Sequence, residues 1–237
     1  MKDGQIEKIQ SRGYWRINFQ PIVLSEEIKS LGECFELVDK SAVNLRGWHY
    51  PHVPNRNDHD TGLEPCNGYY QAWVDWSNHK EFWRMYQSGQ FLHYLGLRED
   101  WLDEDIWRNQ LAEEIKPMTS LNVMTTVYQM TEILVFLERL LSDGLYEEGV
   151  NTEISLKKTK NRRLWISDPL RGSFFEPKVT GAESIDYFKT YEASEAIGNS
   201  RTLALDTVLF FFDHFGWHNP SIESIKQDQE NFLAQKM

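Results

Sequence analysis

Between Leu45 and Asp60 the sequence LRGWHYPHVPNRNDHD places His49, His52, Asp58, His59 and Asp60 within sixteen residues, with Cys66 close behind. Imidazole, carboxylate and thiolate are the donors that hold zinc and other divalent ions. A metal-dependent hydrolase or nuclease built here would use His49, His52, His59 and Asp60. The spacing matches neither a paired C-x-x-C nor an H-E-x-x-H helix, and His49 and His52 straddle Pro51, so only a specific turn would make them converge. The favoured reading is a proline-stiffened connector with hydrogen-bonded histidines, and no metal or cofactor is expected. The same stretch offers Arg46, Trp48 and His49 for recognition, with Pro51 and Pro54 holding their geometry.

Other clusters are weighed in the same way. REDWLDEDIW groups Glu99, Asp100, Asp103, Glu104 and Asp105. Paired carboxylates serve acid–base chemistry when desolvated, but acids at a helix start are expected to be solvated caps. There is no G-x-S-x-G, no P-loop and no G-x-G-x-x-G. Cys34 lies beside Phe35 and at helical spacing from Leu31, which suits a buried thiol rather than a nucleophile. Lys157, Lys158, Lys160, Arg162 and Arg163 fall within seven residues, beside Trp165. On a hairpin they are nucleic-acid candidates, since an aromatic among cations can stack on a base; lysines also blunt sheet edges. From Tyr69 to Tyr94 rings dominate. Trp73 and Trp76 fall on opposite sides of one strand, and Arg84 lies among the rings, so either both faces are covered or one recognises a ligand or partner.

These residues need elements to carry them. GYWRINFQPIV alternates Trp15, Ile17 and Phe19 inward and reads as a strand. LSEEIKSLGECFELVDKSAV reads as a helix capped by Ser25, and GYYQAWVDW as a strand. SNHKEFWRMYQSG fits a short helix and QFLHYLGLRED a strand. From Thr119 or Ser120 a helix carries Val123, Val127, Met130, Leu134, Leu137 and Leu141 on one stripe, wide enough for a core helix. TEISLKKTKNRRLWISD reads as a hairpin turning near Lys160–Asn161. Two helices end the chain: one buries Leu205, Val208, Leu209, Phe212 and Phe215, and the other is capped by Asn219.

The chain has 237 residues, of which 41% are hydrophobic and 14% aromatic, and a net charge of −11. That is enough apolar content for a real core, and the acidity disfavours a phosphate backbone or an anionic membrane. No segment reads as a secretory signal or membrane span, and two cysteines suit free thiols in a reducing, cytoplasmic compartment. The expected architecture is α+β: a flexible N-terminus over 1–12, then one domain over 13–237. In it a mixed or antiparallel sheet (13–100) packs with a mainly helical part containing the hairpin (101–237).

The segments RGYW, LRGWHYPH, EFWRMYQSGQFLHYLGLREDW and FFDHFGW resemble an uncharacterised prokaryotic module that follows AlbA-type (Schlafen-like) putative DNA-binding domains in bacterial proteins. The likeness runs from residue 12 to about residue 233. The chain has no recognisable AlbA-type domain, so DNA binding does not carry over and no catalytic residues are transferred. The resemblance implies a bacterial regulatory or defence setting, possible antiviral defence included. The function expected is therefore non-enzymatic interaction or ligand sensing through Arg46, Trp48, His49, Trp73, Trp76 and Arg84, with a protein partner. The metal-dependent enzyme and the basic hairpin binding nucleic acid are the alternatives.

Overall fold

The computed structural model describes residues 4–23, 29–104 and 115–234. Strand β1 (Tyr14–Pro21) buries Trp15, Ile17 and Phe19 as their alternation requires. A meander follows, through β4 (Thr61–Cys66), β5 (Tyr69–Trp76), β6 (His79–Tyr86) and β7 (Phe91–Gly96). Two later strands, β9 (Val150–Lys157) and β11 (Ser184–Tyr191), extend the sheet past β1. The result is seven strands in the order β11-β9-β1-β7-β6-β5-β4, every neighbouring pair antiparallel. Short β2 (Val43–Asn44) pairs with β3 (His49–Tyr50), and β8 (Ser120–Asn122) pairs in parallel with β10 (Arg163–Trp165).

Among the described residues, five helices and one short turn cover this sheet unequally: α1 (Gln5–Ser11), α2 (Leu31–Ser41), α3 (Val123–Ser142), the single turn α4 (Ala193–Ala196), α5 (Ser200–Asp213) and α6 (Ile222–Leu233). One sheet face carries Trp15, Ile17, Phe91 and Ile154. It packs on α3 and α5, where Phe136 meets Phe91 at 4.9 Å and Trp15 meets Phe211 edge-on at 4.8 Å. All six stripe residues of α3, Val123 to Leu141, are buried. The opposite face holds a small cluster in which Ile9 of α1 packs on Trp73 and Phe82. The chain is thus α+β as its sequence indicates, with β9 and β11 in the second half contributing to the sheet.

Several local readings change. Where a flexible tail is expected over 1–12, Gln5–Ser11 form α1, docked by the Gln5 side chain on the Val74 carbonyl at 2.8 Å. The segment read as a short helix is strand β6, because β5 and β7 supply a ladder on each side and tertiary pairing overrides local spacing. Ser25 lies outside the described residues; Ser30 caps α2 in a reciprocal capping box with Glu33. Asn122 caps α3 and Ser221 caps α6, two or three residues beyond the caps expected. β9 and β10 form no hairpin: β9 pairs with β1 and β11, and β10 with β8.

The reason β9 and β10 part is Arg162. Its guanidinium is fully buried and forks onto the buried Asp100 carboxylate, with Nη1 2.8 Å from Oδ1 and Nη2 on Oδ2. Nε donates to the Lys158 carbonyl and Nη1 also to that of Ser120. Asp100 further accepts from the backbone N–H of Gly13 at 2.7 Å and of Met118 at 2.8 Å. A Cβ at Gly13 would fall 2.1 Å from Arg162 Nη2, so only glycine fits there. The pair fastens β1, the 3-10 turn Arg98–Glu104, the lead into β8 and the β9–β10 connection to one point. Asp100 and Glu99 are therefore buried, not solvated caps; Glu99 accepts from the Asn122 N–H. Asp105 lies outside the described residues.

Breaking such a pair from one side strands a buried charge. Arg162→Met is expected to lower the unfolding free energy by about 3–5 kcal/mol in denaturant titrations, with little dependence on salt because buried pairs are weakly screened. A loss under about 1 kcal/mol would place the pair among surface ion pairs.

Candidate functional site

Strand β6 turns His79, Glu81, Trp83 and Met85 toward α3, because Lys80, Phe82 and Arg84 take the α1 side. A carboxylate on that inner face must be satisfied or neutralised. Glu81 is fully buried and satisfied: His79 Nε2 lies 2.6 Å from Oε2, and the His52 backbone N–H donates to Oε1 at 2.8 Å. His93 Nε2 stands 3.0 Å from Oε1, at ion-pair distance but off hydrogen-bond geometry. Burial alone would raise the Glu81 carboxyl, but the hydrogen bond from His79 and the close approach of His93 outweigh it and hold it far below the ordinary carboxylate range.

The network continues. Tyr50 Oη lies 3.0 Å from His93 Nδ1. Burial, with the nearby charges of Glu81 and Glu132, pushes the Tyr50 phenol well above its usual value, so it stays protonated. Assigning the phenol as donor places the His93 proton on Nε2, facing Glu81. The Trp83 indole N–H donates to the His52 carbonyl at 2.7 Å, fixing the start of the loop that follows β3. Farther along, Asp58 Oδ1 accepts from the N–H groups of Asp60 and Thr61, each at 2.9 Å.

The residues of the histidine stretch take separate places in the structure. His59 and Asp60 pair with each other at an exposed position, and His49 is exposed. His52 packs its ring on Trp48 and Trp76, and burial lowers its pKa. No group of three or more His, Cys, Asp or Glu side chains among the described residues is placed to hold a metal ion.

A cavity of about 490 Å³ opens above Glu81, between the β2–β3 segment, the ends of β6 and β7, and α3. Its size lies within the roughly 300–1,000 Å³ range of small-molecule sites. Helix α3 contributes Thr125, Tyr128, Gln129 and Glu132, which are spaced i, i+3, i+4 and i+7 and share one side of the helix. Arg46 forks onto Glu132, Nε to Oε1 at 3.0 Å and Nη2 to Oε2. Burial raises the Glu132 carboxyl and Arg46 partly offsets it. The pair ties the β2–β3 turn to α3 and sets one wall. Trp48 forms another, its ring tilted against His79 at 4.5 Å, and the Tyr128 ring is stacked on Phe232 at 4.3 Å and 13°.

Gln129 brings an uncommitted amide to the cavity. It is 5% exposed and lines the cavity, and its side-chain amide has no hydrogen-bond partner among the described residues. A cleft of about 560 Å³ lies on another side of α3, walled by Met124, Ile166, Trp217 and Ile225. Its buried acid, Asp228, is already forked by Arg171, so no buried polar group there calls for a partner.

The sequence candidates divide accordingly. Arg46, Trp48 and His49 line the cavity, and Trp76 packs behind Trp48 at 5.6 Å. Trp73 is buried under α1, and Arg84 lies on that same sheet face, over Tyr69 and Phe82. Neither reaches the cavity. Of the basic segment, Arg162 is buried, Lys157 pairs with Asp186, Lys160 with Glu183 at 2.7 Å, and Lys158 with the Ser11 carbonyl; Arg163 is exposed. Sequence reasoning missed Glu81, His93, Gln129 and Glu132. The available signal was the polar Thr125, Gln129, Glu132 series at i, i+4 and i+7 along an otherwise apolar helix. Cys34 is buried and its thiol is raised to about 11 by desolvation, as a packing residue would be. No helix among the described residues is long and apolar enough to cross a membrane. No protein-family model, curated protein or solved structure matches the chain.

Because the folded pKa of Glu81 lies below its ordinary value of 4.5, its ionised form stabilises the fold above about pH 4.5. That contribution is lost as pH falls further. Glu81→Gln should destabilise the protein at neutral pH, and the gap to wild type should narrow as pH drops below about 4.5. Urea titrations at stepwise pH read this directly; a gap that stays constant or widens on acidification would contradict it.

Proposed function

We propose that the chain is a ligand-sensing module whose site is the cavity between α3 and the β2–β3 segment, and that it performs no chemistry of its own. The carrying observation is Gln129, a residue 5% exposed that lines the cavity and whose amide has no protein partner among the described residues. An amide that opens onto a cavity without a protein partner can exchange its hydrogen bonds to water for bonds to a ligand. A small molecule that pairs with Gln129 supplies those bonds. Rings held in place by their own packing favour binding, since less freedom is lost when the ligand arrives. The regulatory or defence setting implied by the sequence resemblance suits a sensor. Its output would be a protein partner, for which exposed Leu170 and Phe175 offer apolar surface.

A second reading rests on His79. With Nε2 committed to Glu81, its Nδ1 keeps a lone pair, the arrangement by which a carboxylate orients a general base. Turnover abolished by Glu81→Gln would favour it.

Gln129→Leu separates binding from folding. Replacing an unpaired amide by an apolar group of similar shape should be neutral or stabilising, by up to about 1 kcal/mol, which for a chain of this length is a Tm rise of about 2–4 °C. The low-molecular-weight filtrate of a bacterial lysate should raise the wild-type Tm and leave that of Gln129→Leu unchanged. Equal shifts in both proteins, or none in the wild type, would contradict a ligand site at Gln129.

A further inference from the structure

We infer that the cavity takes an uncharged planar heterocycle of the nucleobase or nucleoside class. This rests on reading the cavity as a ligand site and asks which chemistry its uncommitted groups can match. Some of its polar groups are spent. Glu81 is held by His79 and the His52 N–H, and Glu132 by Arg46. What remains for a ligand includes the Gln129 amide, the Thr125 hydroxyl one helical turn earlier, the Tyr128 hydroxyl, the His49 ring, His79 Nδ1 and the Arg46 Nη1 group, for which no bond is made among the described residues.

An amide presents one donor edge and one acceptor edge side by side. Its complement is a ring edge that alternates donor and acceptor, as glutamine reads adenine. The walls provided by Trp48 and Tyr128 are rings, suited to the flat faces of such a molecule. Charge also selects. Arg46 and Arg98 face the acids Glu132 and Glu81 around the cavity, so the charges roughly balance and a phosphate chain meets little net attraction. The base or nucleoside should therefore bind at least as well as its phosphorylated forms. The cavity volume of about 490 Å³ accommodates a nucleoside.

The test is a thermal-shift panel on the full chain. It uses adenine, guanine, adenosine, guanosine, cytidine and uridine at millimolar concentration, with ATP, glucose, ribose and the free amino acids as comparison classes. The expected result is a Tm rise of at least about 3 °C with one or more bases or nucleosides. That rise should be absent in Gln129→Leu, reduced in Gln129→Glu, and no larger with ATP. The inference is overturned if no base or nucleoside shifts the wild type, if the shift persists in both Gln129 variants, or if ATP exceeds adenosine. A shift from a sugar or amino acid that Gln129→Leu abolishes would overturn the ligand class and leave the cavity reading standing. No shift from any class would overturn both.

Discussion

A carboxylate buried on the inner face of a β-sheet constrains everything near it. Glu81 cannot stay ionised there without donors, and three neighbouring segments supply them. The loop after β3 folds over to give the His52 N–H, the β5–β6 turn places His79, and β7 brings His93 with Tyr50 behind it. The β2–β3 segment and the following loop are thereby held above the sheet edge, while Arg46 and Glu132 fasten the same segment to α3 from the far side. Between these two attachments the chain cannot close down completely, and the cavity lies in the gap. A second buried pair, Asp100 with Arg162, fixes the 3-10 turn beyond β7 and so the other end of the same wall.

The two ionic attachments do different work from the apolar core. Packing of α3 and α5 on Trp15, Phe91 and Ile154 supplies the non-directional part of stability. The ion pairs and the Glu81 network fix where individual loops sit, because each has defined donor directions. Helix α3 belongs to both systems. Its Val127, Met130, Leu134 and Leu137 are core, while Thr125, Gln129 and Glu132 turn toward the cavity. Apolar residues at the latter positions would bury more surface and leave fewer polar groups to satisfy, so their polarity points to a role apart from stability.

Periodicity made much of the fold legible in the sequence. The Trp15, Ile17, Phe19 alternation marks β1, and the α3 stripe from Val123 to Leu141 is buried at every expected position. What stayed hidden depends on partners far away in the chain. β6 carries Phe82, Met85 and Tyr86 at a spacing a helix would also use, and only pairing with β5 and β7 decides for a strand. Arg162 looks like one cation in a basic run, yet its partner Asp100 lies 62 residues away. Part of the site was visible in Arg46, Trp48 and His49. Its floor was not, since Glu81 in HKEFWRMY reads as an ordinary surface acid until the strand is placed and its inner face known. The histidine stretch drew notice through residue types alone, whereas the structure spends those residues on turns, ring packing and one exposed His59–Asp60 pair.

The most direct measurement follows the Gln129 side-chain amide by NMR in isotope-labelled full-length protein, its resonances assigned from those missing in Gln129→Leu. The low-molecular-weight filtrate of a bacterial lysate is then titrated in. If the cavity is a ligand site centred on this amide, its N–H signals shift on addition while those of distant side-chain amides such as Gln5 stay fixed. Gln129 signals that do not move, in a sample where the filtrate perturbs other parts of the protein or none at all, would contradict the assignment of the cavity as the binding site.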